Sequence, residues 1–180
     1  MRQARGRVGV VAAAPEERAP HSETNRDYFA ELYVAGYFGD AGWCVYFPKR
    51  DVGFDFVASK RVRNTIILRP VQVKGKYPTR TKKDQSTYGH RGRLSALHDG
   101  MVLVIPYFAA CERGAAPEEI AFMPRSELRP RTRGGYSCVP ASFAKGHARP
   151  RKGFRQFFGP AGLRRVERRD WGKSGTTAYS

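Results

Sequence analysis

The stretch from Gly53 to Lys74 constrains this chain more than any other. Gly53-Phe54-Asp55-Phe56-Val57-Ala58 and Thr65-Ile66-Ile67-Leu68-Arg69-Pro70-Val71-Gln72-Val73-Lys74 are apolar runs rich in β-branched and aromatic residues. The polar break Ser59–Asn64 separates them, which is the pattern of adjacent strands joined by a turn. Asp55 interrupts the first run, and Gln72 and Lys74 interrupt the end of the second. Side chains alternate between faces along a strand, so Gln72 and Lys74 share one face. When the strands pair, a carboxylate, an amide and an ammonium converge at one end of a small sheet. Burial of such groups is unfavourable unless they partner one another or a ligand. The stretch therefore predicts a site as well as a hairpin. Pro70 lacks the N–H of a ladder residue and predicts an edge, a bulge or a break at its position.

The flanking sequence supplies the other elements. Ser22 or Thr24 can cap a helix running to about Phe38, with Asp27 favourably near its N-terminus. Tyr28, Glu31, Ala35 and Phe38 lie on one line of that helix, and Phe29, Leu32, Tyr33 and Gly36 on the next. Glu31 thus sits inside an apolar surface rather than opposite it. Gly39-Asp40-Ala41-Gly42 ends the helix, Trp43–Phe47 reads as a first strand, and Pro48–Asp51 turns the chain back. Beyond Lys74, residues 75–92 read as a loop of cations with Tyr77, Pro78, Tyr88 and His90 interleaved, and Arg93–His98 as one or two helical turns. Met101–Phe108 is a fully apolar run that predicts a buried central strand. Glu119–Met123 is a last strand closed by Pro124, and Leu163–Trp171 reads as a short basic helix.

A helix bearing Glu31, a strand opening at Gly42-Trp43, a strand with Asp55 and a strand ending Gln72-Val73-Lys74 resemble, in that order, the PD-(D/E)XK nuclease superfamily in its Gln-for-Glu form. Archaeal Holliday junction resolvases, many restriction enzymes and some intron homing endonucleases share this arrangement. The resemblance covers roughly residues 24–76. It implies an α/β, restriction-endonuclease-like fold, a mixed central sheet of about four to five strands flanked by helices. It implies a Mg²⁺-dependent endonuclease that hydrolyses phosphodiester bonds in DNA, with Mn²⁺ as a substitute. In that role Asp55, the Gln72 side-chain oxygen and the Val73 backbone carbonyl bind the metal, and Glu31 acts through a water or helps hold a second ion. Lys74 is the electrostatic partner of the attacking water. Many members act as dimers, so a homodimer follows by analogy. Gln72, where the family more often has Glu, removes one negative charge from the site. The alternative that follows is a catalytically inactive nuclease-fold protein that binds nucleic acid.

The charge pattern points to the same class of partner. The chain carries a net charge of +17. Residues 61–93 hold ten Lys or Arg and one acid, and residues 129–180 hold thirteen and two, while the remainder is net acidic. Localised positive charge is the footprint of a polyanion binder. Lys76, Tyr77, Arg80, Lys82, Lys83, Arg91 and Arg93, in the first block, combine cations with a stacking surface and are the candidate DNA contacts. The four histidines show no ligand or triad spacing and read as solvated, with phosphate contact by His90 or His98 the lesser reading. Gly172-Lys173-Ser174 has Glu167 where a phosphate-binding loop needs its first glycine, and is set aside.

Cys44, Cys111 and Cys138 are widely spaced, which argues against a disulfide framework or a zinc site and suits a reducing cytoplasm. No apolar run approaches the ~20 residues of a membrane span, so no membrane partner is expected. The expected organisation is a disordered leader over 1–22, a nuclease-like core over 23–128, and a basic Gly/Pro/Arg-rich extension over 129–180 packed on or tethered to that core.

Overall fold

The structure is a computed structural model that describes residues 23–78, 82–94, 97–109 and 114–172. The expected leader and Cys111 lie outside the described residues, as do the middle positions of the turns expected over Arg93–His98; the described positions there are not helical. The chain begins with helix α1 (Glu23–Asp40), followed by strands β1 (Cys44–Tyr46), β2 (Phe56–Val62) and β3 (Thr65–Val73). After a crossover that contains α2 (Lys82–Ser86) and β4 (His90–Gly92) come β5 (Val102–Tyr107) and β6 (Glu119–Pro124). The remainder forms β7 (Arg129–Pro130), β8 (Tyr136–Cys138), β9 (Ala141–Ala144), β10 (His147–Pro150) and α3 (Gly159–Val166).

The central sheet has five strands in the order β1-β2-β3-β5-β6. β1, β2 and β3 form an antiparallel meander, β5 runs parallel to β3, and β6 returns antiparallel to β5. This mixed α/β architecture is the fold class expected from the sequence. β5 is buried at every position, as its uninterrupted apolar run predicts. β4, β8 and β7 form a second, three-stranded sheet, and β9 pairs with β10.

Three local expectations change. The polar break is shorter than Ser59–Asn64: β2 continues to Val62, and only Arg63 (φ 55°) and Asn64 make the turn. The outer faces of the hairpin are solvated, so Ser59 and Arg61 fit a strand that alternates polar and apolar residues. Pro70 lies inside β3, opposite Val57, but β5 pairs with β3 only from Val71 onward. Even-numbered residues of β3 face β5, as Lys74 N–H does in donating to the Val104 carbonyl. The N–H that Pro70 lacks would therefore point to an unpaired margin. On α1 the contact line is Ala30, Val34 and Phe38, all fully buried, whereas Tyr28 is 62% and Leu32 44% exposed. The helix is turned so that this line meets the sheet.

One core runs through the described chain. Phe38 makes edge-on contacts with Trp43, Phe56 and Phe122, and Phe157, Phe158, Leu163, Val166 and Trp171 join the same buried cluster. Residues 129–172 are held to the central sheet by specific bonds. Arg69 of β3 donates through Nε to the Val166 carbonyl (3.0 Å) and through Nη2 to that of Arg168 (2.7 Å). Trp171 Nε1 donates to the Met101 carbonyl at 2.9 Å. The opposite face of the meander is open. Tyr46, Leu68 and Ile66 occupy successive rows of it and are 57%, 59% and 69% exposed. Among the described residues no helix is long and apolar enough to cross a membrane.

Candidate active site

The approach of the chain to β2 sets Asp55. Gly53 (φ 86°) donates its N–H to Asp51 Oδ1 at 2.9 Å, which closes a tight turn. Asp55 N–H then donates to the Val71 carbonyl (2.9 Å), although Phe56 is the ladder partner of Val71. Two residues facing one make a bulge, which re-aims a side chain. Here it sends the Asp55 carboxylate along β3, where Oδ2 accepts the Val73 N–H at 2.6 Å. The carboxylate takes over the ladder where the backbone of β2 has ended, and Oδ1 remains for another partner. Burial pushes the Asp55 pKa up, against the Val73 hydrogen bond and Lys74, while Asp27 and Asp51 push it further up.

Gln72, Val73 and Lys74 close β3 next to this carboxylate. Since Val73 N–H faces Asp55 and Lys74 N–H faces β5, the Val73 carbonyl by the same alternation is directed toward the side of Asp55. Gln72 and Lys74 lie on the same face of the strand. Gln72 is only 6% exposed, and its Oε1 has no hydrogen-bond partner among the described residues. A buried acceptor left unsatisfied carries a desolvation penalty of about 1–3 kcal/mol. Such an atom is where a ligand is to be looked for.

Glu31 reaches the site because α1 approaches the end of β3 closely. A Cβ added at Gly75 would lie 3.0 Å from Ala30 Cβ and 3.2 Å from Tyr77 Cε2, so a larger residue there would press on the helix and on the Tyr77 ring. Glu31, one position after Ala30, is half-buried. Burial raises its pKa first, Asp55 second and Asp27 last, with Lys74 opposing. Asp55 and Lys74 thus act on Glu31, and Lys74 acts on Asp55. Asp27, one helical turn before Glu31, adds negative charge to the same field. Sequence reading gave Asp27 only a helix-terminus role; the four-residue spacing to Glu31 was the signal for the second one.

The candidate DNA contacts divide. Lys76 is anchored through its backbone just beyond the site, with its N–H to the Pro106 carbonyl (2.9 Å) and its carbonyl taking the Phe108 N–H (2.8 Å). The Tyr77 ring stacks on Phe108 with centroids 4.7 Å apart and planes 7° from parallel, so one of its faces is taken. Lys82 on α2, Arg91 on β4 and Arg93 after it are exposed. Arg80 lies outside the described residues, and of Lys83 only the backbone in α2 is described. His90 departs from the expectation of a solvated side chain: it is 7% exposed, and its Nε2 has no partner among the described residues. The basic stretch is no open loop at this point but strand β4, paired with β8 through His90 and Cys138.

The oxygen donors at the end of β3 fit a hard divalent cation. The orphaned Gln72 Oε1, the second oxygen of Asp55 and the Val73 carbonyl could hold one, with Glu31 at the rim. Two carboxylates whose ionised forms are disfavoured by burial gain from a nearby positive charge. Among the described residues, no three His, Cys, Asp or Glu converge as a metal cluster. Gln72 accordingly offers an uncharged oxygen where a third acid would stand. Mg²⁺ takes such oxygen ligands and keeps several of its waters. Compared with known proteins, the chain matches no family model and no curated sequence.

Proposed function

We propose that this chain is a metal-dependent endonuclease that hydrolyses phosphodiester bonds in DNA. The observation that carries the reading is the buried, unpartnered oxygen of Gln72 beside an aspartate tied to the next residue of the same strand. Asp55, Gln72 and Val73 would hold Mg²⁺, or Mn²⁺ in its place, and Glu31 would act through a water. The metal, when bound, supplies Lewis-acid charge and lowers the pKa of a bound water. Asp55 keeps its position through the Val73 N–H and presents its other oxygen to the cation. Lys74, on the same face as Gln72, sets an ammonium where negative charge develops on the phosphoryl oxygens. Glu31 accepts a hydrogen bond from water at the rim, and its raised pKa suits it to exchanging a proton there. The exposed Lys82, Arg91 and Arg93 meet the backbone phosphates on either side, and a second copy of the chain would serve the second strand.

The missing third acid favours one other reading, a nuclease fold that binds nucleic acid without cutting it. Cleavage of plasmid and duplex DNA in Mg²⁺ and in Mn²⁺ distinguishes the two. The wild type should cut, and Lys74→Ala should lose about 10²–10³-fold in rate, the range for removal of one transition-state donor, while binding DNA within twofold of wild type. A wild type that binds DNA and cuts nothing in either metal replaces the nuclease reading with the binding one.

A further inference from the structure

The face of β3 that carries Gln72 and Lys74 continues beyond them onto an open part of the sheet. Alternation puts Ile66, Leu68 and Pro70 on that same face, leading from the site toward the β2–β3 turn. The strand register widens the line into a surface. Tyr46 and Val57 share a row with Pro70, Ser59 shares one with Leu68, and Arg61 pairs with Ile66. The intervening residues Phe56, Ala58, Ile67 and Arg69 are buried on the other side. Tyr46, Leu68 and Ile66 are each more than half exposed. The Tyr46 ring has no other ring against it among the described residues, whereas Phe108 takes one face of Tyr77. Apolar side chains in three adjacent rows make a patch, unlike the scattered single residues normal on a surface.

Charge lies at the margins of this patch. The only charged side chain in its three rows is Arg61, in the last of them. Arg63, exposed in the β2–β3 turn, adds a second cation at that end. At the other end the β1–β2 connection exposes Lys49 and Arg50 beside one acid, Asp51. Among the described residues none of these four cations is in an ion pair. The patch is thus neutral along its middle and cationic at both ends.

We propose that this face is a stacking platform for unpaired bases, and that the DNA cut at the site is single-stranded beside the cleaved bond. The choice of nucleic acid as partner rests on the function proposed above. A duplex turns its phosphates outward, with one charge per ~1.7 Å of axis, and an apolar face has nothing to neutralise them. An unpaired base offers a bare π-face, which Tyr46 can stack on, with Leu68 and Ile66 as apolar floor. The phosphates of the same strand then fall at the margins, where the four cations stand. Eight residues of β3 separate Ile66 from Lys74, ~27 Å at the rise of a strand. That length takes about eight stacked nucleotides at ~3.4 Å each. A second copy of the chain on this face is disfavoured, because either two-fold orientation brings cationic margin onto cationic margin. An anionic lipid surface also suits apolar rows with cationic ends. Continuity with Gln72 and Lys74 on one face of β3 favours the strand that the site cuts.

The test is binding in EDTA, where no cleavage occurs. Fluorescence anisotropy over a salt series compares oligothymidylates of increasing length with a blunt duplex. Single strands should bind more tightly than the duplex, and their affinity should climb steeply only up to about eight nucleotides. Tyr46→Ala should weaken single-strand binding about fivefold or more with its salt slope unchanged, and Tyr46→Phe should bind as wild type does. Leu68→Ser should weaken it as well. Arg61→Ala should instead flatten the slope by about 0.7, the value for one phosphate of a single strand. All these side chains are exposed, so the variants keep the fold, which an unchanged melting temperature checks. Equal binding of single strand and duplex overturns the platform, and so does a Tyr46→Ala variant that binds single strands like wild type. A dimer in sedimentation that Leu68→Ser dissociates assigns the face to a second copy and overturns it too. Phosphatidylserine vesicles that hold the protein through Tyr46, where single strands do not, have the same consequence in favour of lipid. Cleavage in Mg²⁺, measured separately on a blunt duplex and on one with a single-stranded tail, keeps the two readings apart. Single-strand preference without cleavage removes the nuclease reading alone. Cleavage indifferent to the tail and to Tyr46→Ala removes the platform alone.

Discussion

Asp55 does two jobs, and two substitutions separate them. Its Oδ2 holds the Val73 N–H at 2.6 Å in a strand residue that is 3% exposed, and its charge serves the site. Asp55→Ala removes both. It leaves the Val73 N–H buried without an acceptor, which costs about 1–3 kcal/mol. Asp55→Asn keeps an oxygen for that N–H and removes only the charge. In EDTA the Asn variant should match or exceed wild type in stability, and the Ala variant should fall below it by that amount. The pH dependence has a definite sign. The folded pKa of Asp55 is raised, mainly by burial, so its contribution to stability is fully present below the unfolded value of ~3.9 and is lost as pH rises through the higher folded value. The advantage of Asn over Asp should therefore grow across that window and then level off. Mg²⁺ at a hundredfold excess over its Kd should add about 2.7 kcal/mol to wild type and nothing comparable to either variant. Urea denaturation from pH 3.5 to 7, with and without Mg²⁺, measures all of this. An Asn variant as unstable as Ala would mean that the carboxylate does not hold Val73. An Asn–Asp difference independent of pH would mean that Asp55 carries its charge at no disadvantage and has no need of a cation.

Gln72→Glu should lower the metal concentration needed for half-maximal cleavage, because it adds a carboxylate next to Asp55; metal titration of the rate is the measurement, and an unchanged midpoint detaches position 72 from the metal. Arg69→Met should cost about 3–5 kcal/mol in urea denaturation, since it removes charged donors from the carbonyls of Val166 and Arg168 together; a loss under 1 kcal/mol would mean that α3 does not depend on this clamp. Arg91 and Arg93 changed together to Ala should flatten the salt dependence of DNA affinity by about 0.9 in slope for each phosphate that they neutralise in the wild type. A slope equal to wild type would place the DNA-binding cations elsewhere on the chain.

The parts of this structure legible in the sequence are those decided by short-range pattern. The apolar run of β5, the paired runs of β2 and β3 and the polar interruptions at Asp55, Gln72 and Lys74 all carry their period on their face. The second half is written in tertiary terms. β7 and β10 are strands of two and four residues containing Arg and Pro, and β8 is the three-residue Tyr136–Cys138; only their partners make them strands. The last helix was expected over Leu163–Trp171 and occupies Gly159–Val166. Gly159-Pro160-Ala161-Gly162 resembles a loop, yet proline in a first helical turn is favourable. Gly162 is dictated by packing, since a Cβ there would lie 2.1 Å from the Phe157 carbonyl oxygen and 3.0 Å from Phe122 Cδ2. His90 was hidden for the same reason. Its local sequence is basic and polar, and only the pairing of β4 with β8 takes it out of solvent.

The glutamine at position 72 looks like a loss when the motif is read alone, and the surrounding charges give it a different meaning. Asp27 already acts on both Glu31 and Asp55, Asp55 acts on Glu31, and burial raises the pKa of both Glu31 and Asp55. A glutamate at 72 would stand among them at 6% exposure. Adding a carboxylate to such a set raises the pKa of its members further, so the empty site would fill with protons. Each of those protons must leave before a metal can bind. The amide keeps an oxygen donor at the same place and carries no proton to displace. The exchange weakens metal binding at high pH, where every carboxylate is ionised, and spares it at low pH, where protons compete. Metal affinity in the native protein should then depend less steeply on pH than in Gln72→Glu, and the two curves should converge as pH falls. Binding curves for Mn²⁺ that stay parallel from pH 5 to 8 would show that the added glutamate holds no proton of its own in the empty site.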